Sequence, residues 1–434
     1  LDNDFTLFPI TDFDRVKKQL LNWANQFNSC CFLDNHQYQF QSSGYECIAG
    51  VNALHVLEHS SGSNALFHLE QFQKQFPGWL FGHLGYDLKN EIEPLHSDHP
   101  DGVDFPDLFF FVPEVVLQLN KQELSILSNG RLSPAEIFSS IIAASAEVPS
   151  NDTTSLLLQS KFSKEAYIES IERLKKHILR GDCYEINFCH EYFAREVVLD
   201  PLAIYYALSV ASPNPFAAYY KINGRYMFCA SPERYLKKSG DTIISQPIKG
   251  TSKRYLQDTS LDMQSRNSLF NSVKERSENV MVVDLVRNDL SKVCEEGSVV
   301  TDELFGIYSF PQVHQMISTI KGKLSKGRSM VDIIKATFPM GSMTGAPKIR
   351  VMELIEQYEK TKRGIFSGAL GYVTPTGDFD FNVVIRSIFY NRLNQYLSFQ
   401  VGSGITYYSN ATDEYNECQL KAAAIKKVLT NAAP

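Results

Sequence analysis

The spacing of apolar positions changes period repeatedly along this chain, and each change marks an element. From Ser163 to Gly181 the apolar residues Tyr167, Ile171, Leu174 and Ile178 recur at four, three and four. That is one face of a helix which Ser163 caps and Gly181 ends. A run over 184–193 then reads as a strand. Residues 217–220 and 226–229 flank Asn223-Gly224, a hairpin turn whose residues both tolerate positive φ. A further strand is expected over 242–248, and helical spacing returns over 266–281, 329–337 and 347–359. Late strands over 365–374 and 379–390 are joined at Pro375-Thr376-Gly377-Asp378, before a strand over 396–407 and a last helix over 412–430. Hairpins between long helices predict an α+β fold, a large antiparallel β-sandwich flanked by helices. The N-terminal third mixes both kinds of element without a recognisable chemical motif. The polar stretch 145–160, SAEVPSNDTTSLLLQS, is the best linker, so two parts are expected, an N-terminal α+β part over 1–150 and a second over 160–430.

Composition narrows the classes. With 44% hydrophobic and 21% charged residues in 434 the chain is globular, not disordered. Its 49 acids against 42 bases leave a net charge of −7. That argues against a nucleic-acid or anionic-membrane binder, which needs a basic surface, but leaves room for a small anion in a locally basic site. No run approaches the ~20 apolar residues of a membrane span; the greasiest, 108–119, is interrupted by Pro113 and Glu114. Asp2 and Asp4 precede any apolar run, with no basic leader. Eight cysteines without a CxxC pair suit reduced thiols rather than a disulfide framework or zinc site. A cytoplasmic location is the expectation.

Candidate chemistry is concentrated in the second part. In QPIKGT (246–251), Pro247 and Gly250 are expected to end a strand and leave Lys249 on a rigid turn. A lysine of ordinary pKa, ~10.4, is only about 0.1% neutral near pH 7.4, so a nucleophilic Lys249 needs desolvation or a neighbouring cation. The plainer reading is a solvated lysine beside a turn. SPER (231–234) lies sixteen residues earlier. If the two strands pair, Glu233 faces Lys249 as a general acid; otherwise Glu233 and Arg234 make a surface turn.

Glu275 with Glu278, and Glu414 with Glu417, are i,i+3 pairs on expected helices. Two helices presenting such pairs would hold a hard divalent ion such as Mg²⁺ through oxygen ligands. Ordinary helix salt bridging competes, because Glu417 and Lys421 are i,i+4 in the favourable order. Gly402-Ser403-Gly404 lets backbone N–H groups approach a carboxylate, although a bulge explains it equally. GSMTGAPK (341–348) fails the spacing of a phosphate loop, and Pro347 at a helix start accounts for it. Arg386 and His314 sit in apolar, strand-like runs. A buried arginine requires an anionic partner, whereas a lone core histidine is ordinarily structural.

In chain order, GDCYEINF (181–188), SPER (231–234), PIKGT (247–251), SENVMVVDLVRNDL (277–290), VHQMIST (313–319), GSMTGAPK (341–348), GALGY (368–372), FNVVIRS (381–387), GSGIT (402–406) and EYNECQLKA (414–422) resemble the blocks of the chorismate-utilising enzymes. The resemblance covers about 163–430, which it implies is the chorismate-binding catalytic part. Lysine in PIKGT resembles the branch that forms 4-amino-4-deoxychorismate; the anthranilate-forming branch usually carries alanine there. Water-adding members use a lysine base at the position aligned with Glu185, so Glu185 argues against isochorismate or salicylate synthesis. The implied reaction is chorismate plus ammonia to 4-amino-4-deoxychorismate, the step before p-aminobenzoate and folate. Anthranilate formation, or a non-catalytic chorismate-binding subunit, are the alternatives.

The same resemblance implies roles. Lys249 attacks C2 of the ring while Glu233 protonates the departing C4 hydroxyl; ammonia then adds at C4 and expels the lysine. Mg²⁺, held by Glu278 and Glu417 with Glu275 and Glu414 nearby, binds the ring carboxylate. Gly250 and Thr251 line the ring site, with His314 near C4. Arg386, Lys421 and the backbone of Gly402, Ser403 and Gly404 bind the enolpyruvyl carboxylate. Relatives commonly have tyrosine where Phe366 stands, so one substrate hydrogen bond is in question. The first 150 residues lack a clear LLES-type element, the tryptophan feedback motif, so no such regulation is expected. No class I glutaminase elbow (Gly-x-Cys-x-Gly) appears, which implies a separate glutamine amidotransferase subunit as ammonia donor.

Overall fold

Alternation with period two decides the architecture. In the strand Ser29–Asp34, Cys31 enters one hydrophobic core and Phe32 the other; in Phe216–Ile222, Tyr220 and Tyr219 divide in the same way. Strands buried on both faces must lie between layers, and they do. The computed structural model of the chain describes residues 4–38, 45–60, 62, 64–150, 156–310 and 313–430. Among these every strand pairing is antiparallel, and the strands form one hydrogen-bonded network folded into two layers.

The first layer runs Glu123–Ser128, Leu108–Leu119, Cys47–His59, Ser29–Asp34, Phe216–Ile222, Arg225–Ser231, Ser387–Asn391, Tyr396–Thr406, Glu185–Ala194. The second runs Leu108–Leu119, Leu80–Leu84, Ala369–Val373, Phe379–Val383, Arg234–Ser239, Thr242–Gln246, Val313–Lys323, Val300–Ser309. Leu108–Leu119 belongs to both. Its Pro113, opposite Ala53, sits where the register with Cys47–His59 shifts, the kind of place a strand accepts a proline. One core lies between the layers. The other lies between the first layer and the helices Phe13–Ala24, Lys164–Arg180, Pro201–Ala211 and Ala411–Thr430. No described helix is long and apolar enough to cross a membrane.

Strands from 1–150 pair directly with strands of the second part: Ser29–Asp34 with Phe216–Ile222, and Leu80–Leu84 with Ala369–Val373. Of the expected linker, residues 151–155 lie outside the described residues. The helix from Lys164 to Arg180 is capped by Ser163 and ended by Gly181 as its spacing predicts. Three expectations need correction. The helix over 266–281 is two, Thr259–Asn271 and Val273–Ser291, because Ser272 leaves helical geometry and accepts from Glu275 N as a new N-cap. The strand over 379–390 is also two, since Arg386 takes φ +52 between Phe379–Val383 and Ser387–Asn391. Pro247, lacking an N–H, ends Thr242–Gln246, yet the chain resumes at once as Ile248–Lys253.

Candidate active site

Lys249 therefore stands on a strand, not on a turn. Strand Ile248–Lys253 pairs with Val313–Lys323 through a register shift between Ile248 and Thr251, and Gly250 takes φ +97 there. A Cβ at Gly250 would lie 3.0 Å from Glu275 Oε2 and 3.2 Å from Leu269 Cδ1, so glycine meets both the conformation and the close approach of the helices. Asn279 Nδ2 donates to the Lys249 carbonyl at 3.5 Å, and Ser318 Oγ holds Asn279 at 2.6 Å. The Lys249 side chain, 12% exposed, ends 2.5 Å from Glu185 Oε1. Gly404 makes room for that pair: a Cβ on it would lie 2.8 Å from both Glu185 Oε1 and Lys249 Nζ. Burial pulls the lysine pKa down, but Glu185, Glu278 and Glu417 outweigh it and hold the amine above its ordinary value. Lys421 is close enough to interact with this amine as a like charge, but the carboxylates outweigh it.

Glu233 is buried between Arg225–Ser231 and Arg234–Ser239, its N–H bonded to Ser231 Oγ at 3.2 Å. Burial lifts its pKa to about 7, against the opposing pull of Ser342, Lys249, the Ile248 backbone and Arg386. Arg386, half-buried, makes no ion pair or side-chain hydrogen bond among the described residues. Burial draws its pKa down to about 10, with Glu233 opposing.

Gly402, Ser403 and Gly404 lie inside Tyr396–Thr406, opposite Cys189, Phe188 and Asn187. A Cβ at Gly402 would fall 2.3 Å from Cys189 Sγ, which explains that glycine by strand packing. Lys421 Nζ donates to the Gly402 carbonyl at 2.9 Å and pairs with Glu417 Oε1 at 2.8 Å. Both the helix salt bridge and the approach to the 402–404 segment are thus present.

The four acidic residues fall on two helices as expected, Glu275 and Glu278 on Val273–Ser291, Glu414 and Glu417 on Ala411–Thr430. They are not gathered into a shell. Among the described residues no three His, Cys, Asp or Glu side chains stand close enough to hold a metal ion. Lys274 lies between them instead, 3.8 Å from Glu278 Oε1 and 3.6 Å from Glu414 Oε1. Their chemistry nevertheless suits a hard cation. Burial, with Glu185 and Glu275 adding and Lys249 and Lys274 opposing, lifts Glu278 to about 7, and Glu278 Oε1 is buried without a hydrogen-bond partner.

Thr251 is exposed and lies opposite Gln315. His314 is engaged with the protein: Nδ1 with Ser309 Oγ at 2.8 Å and Nε2 with Asp262 Oδ1 at 3.2 Å. Neither ring nitrogen is open to a ligand. Its neighbour Gln315 was passed over by the sequence reading, yet it is fully buried with both amide atoms unpartnered. Such an orphaned amide costs about 1–3 kcal/mol per group unless something pairs with it. Glu185 as the partner of Lys249, and Lys274, were likewise missed. Only Lys274 carried a signal, its i,i+4 spacing to Glu278. Phe366 is packed in the core between the layers.

A family model for chorismate binding enzymes matches residues 24–427. The chain is 32% identical over 367 residues to aminodeoxychorismate synthase component 1 of Bacillus subtilis, covering 82% of this chain and 77% of the relative. It is also 32% identical over 367 residues to anthranilate synthase component 1 of Thermus thermophilus, covering 82% and 78%. Anthranilate synthase component I from Streptococcus pneumoniae matches its structure with a TM-score of 0.77 at 26% identity, over 90% of this chain and 94% of that one. With the match running across both parts and the fold in agreement, the chain belongs to the chorismate binding enzyme family.

Proposed function

We propose that the protein is an aminodeoxychorismate synthase component, converting chorismate and ammonia to 4-amino-4-deoxychorismate. The observation that carries the reading is the buried Lys249 amine 2.5 Å from Glu185 Oε1, with the buried Glu233, its pKa near 7, interacting with it electrostatically. The name of the Bacillus subtilis relative supports it. In this reading Lys249 passes a proton to Glu185 Oε1 and its freed lone pair attacks C2 of the ring. Both ring double bonds shift, C1=C2 to C1=C6 and C5=C6 to C4=C5, the C4–O bond breaks, and Glu233 gives the leaving hydroxyl its proton, releasing water. Ammonia then bonds to C4, and the C2–N bond to Lys249 breaks.

Arg386, Lys421 and the backbone of 402–404 bind the enolpyruvyl carboxylate, and Gly250 and Thr251 line the ring site. Gln315, paired opposite Thr251, offers the ring a donor and an acceptor. His314 serves near C4 only by giving up one of its two protein partners. Glu278 and Glu417, with Glu275 and Glu414 beside them, would hold Mg²⁺, which when bound would neutralise a substrate carboxylate. A glutamine amidotransferase subunit is the proposed ammonia donor, and the cytoplasm the proposed location.

Incubation with chorismate, Mg²⁺ and ammonium, followed by chromatography and intact-protein mass, tests this. The expected products are 4-amino-4-deoxychorismate and a substrate adduct on Lys249 that is lost in Lys249→Ala. Anthranilate with released pyruvate as the main product would assign the protein to the other branch. Tight chorismate binding without turnover would make it a binding subunit.

A further inference from the structure

The four acidic residues surround a side chain that the proposed reaction does not use. Lys274 is one residue before Glu275 and a helical turn before Glu278. Its ammonium lies 3.8 Å from Glu278 Oε1, on its own helix, and 3.6 Å from Glu414 Oε1, on the facing helix Ala411–Thr430. Glu414, Glu278, Glu275 and Glu417 all attract it electrostatically. Every acidic residue assigned to the metal thus acts on this one lysine.

The fit is electrostatic rather than close. Charge-assisted N–H···O bonds are ~2.7–2.9 Å long, and both contacts exceed that. Glu278, only 9% exposed, keeps Oε1 buried without a hydrogen bond. An ammonium carries one charge on a flexible four-carbon stem. It neutralises part of the cluster, and among the described residues no three carboxylates are drawn into a metal-holding group around it. The lysine also has a way out, because its side chain is 47% exposed.

We infer that Lys274 is a stand-in cation: it neutralises the carboxylates of the two helices while no metal is bound, and a divalent cation must displace it into solvent to bind. This rests on the reading that these carboxylates are the metal site. Metal affinity is then set by a competition built into the chain, and removing the competitor strengthens binding.

Titration calorimetry with MgCl2 on the full chain without chorismate reads this directly, alongside thermal melts with and without Mg²⁺. Lys274→Met should bind Mg²⁺ about tenfold more tightly, since a unit charge within about 4 Å is no longer displaced. Its metal-free form should melt lower, and its Mg²⁺-induced rise in melting temperature should be larger than in the wild type. Lys274→Arg, which keeps the charge, should stay near the wild type. Should Lys274→Met fail to fold without metal, Lys274→Gln serves in its place.

Affinity unchanged or weakened in Lys274→Met overturns the inference, and so does Lys274→Arg binding as tightly as Lys274→Met. Glu278→Gln separates the two levels. If it leaves Mg²⁺ binding intact, the metal reading itself fails. If it abolishes binding while Lys274→Met matches the wild type, only the stand-in role fails.

Discussion

Lys249 is surrounded by carboxylates, which keep an amine protonated, so its reactivity depends on a partner that takes the proton and on its own placement. Gly404 governs that placement. A methyl group there would press on both Lys249 Nζ and Glu185 Oε1, 2.8 Å from each, and side-chain ends yield more readily than backbone. Gly404→Ala should therefore fold normally but form the Lys249 adduct at least about tenfold more slowly, as 1.4 kcal/mol of misplacement suffices for that. Intact mass against time measures it; a wild-type rate would show that the pair needs no such fit. In the proposed reaction Glu233 sets the pH range. With its pKa near 7 it is about half protonated at neutral pH, where an ordinary glutamic acid would be well under 1% protonated. Raising the pH ionises it and removes the proton it must donate, so kcat/KM should fall about tenfold per unit above pH ~7. Glu233→Gln should lower kcat by about 10²–10⁴ and abolish that alkaline limb. A variant that keeps the limb would assign it to another group.

Elements, rather than single residues, explain why some positions were legible in the sequence and others were not. The helix Lys164–Arg180 follows directly from its spacing and caps, because its amphipathic face and its ends are local. The split of 379–390 was hidden. Its apolar run continues through Val384 and Ile385, and only the left-handed Arg386 breaks it, a conformation that nothing in the run announces. Lys249 was misplaced onto a turn for a similar reason: Pro247 and Gly250 signal a break, but the partner strand Val313–Lys323 carries the chain past it. Glu185 and Gln315 were illegible as site residues because their surroundings come from strands far apart in sequence.

The two layers are also tied by a bond that no pattern reveals. His83, fully buried on Leu80–Leu84, accepts from the Tyr220 hydroxyl at 2.9 Å and donates Nε2–H to the Pro106 carbonyl at 2.8 Å. Burial pushes its pKa down to about 4, with the Pro106 carbonyl opposing. The unfolded chain takes up a proton near pH 6.5 that the native chain refuses. The stabilisation is therefore complete above pH ~6.5 and lost as the pH falls toward 4, by roughly 3 kcal/mol in all. His83→Leu should cost about 1–3 kcal/mol at pH 7.5, from the unpaired Tyr220 and Pro106 groups, and should flatten the acid limb. Denaturant unfolding at pH 7.5 and pH 5.5 checks both, and an unaltered acid limb would place the effect elsewhere.

For the molecule as a whole, the net charge of −7 and the division at 145–160 both look different once the sheets are traced. In the proposed reaction the acidic excess does not oppose an anionic substrate, because Arg386 has no ion-pair partner among the described residues. The division separates the chain in sequence but not in hydrogen bonding. Removing residues 1–150 would strip Ser29–Asp34 from Phe216–Ile222 and Leu80–Leu84 from Ala369–Val373, leaving two open edges in the remaining sheets. It would also remove about a third of the core that holds Phe81, Phe109 and Phe111 together with Leu236, Phe381 and Phe389. Neither part buries its apolar faces alone, and each should lack a cooperative transition when expressed separately. Expressed together they should associate through the same strand pairs and recover one melting transition close to that of the intact chain, slightly lower because joining the pieces becomes bimolecular. Circular dichroism melts of residues 1–150, of 156–434, and of the co-purified pair decide the matter. A sharp transition in 156–434 alone would mean that its edges find other partners and that the second part is an independent domain.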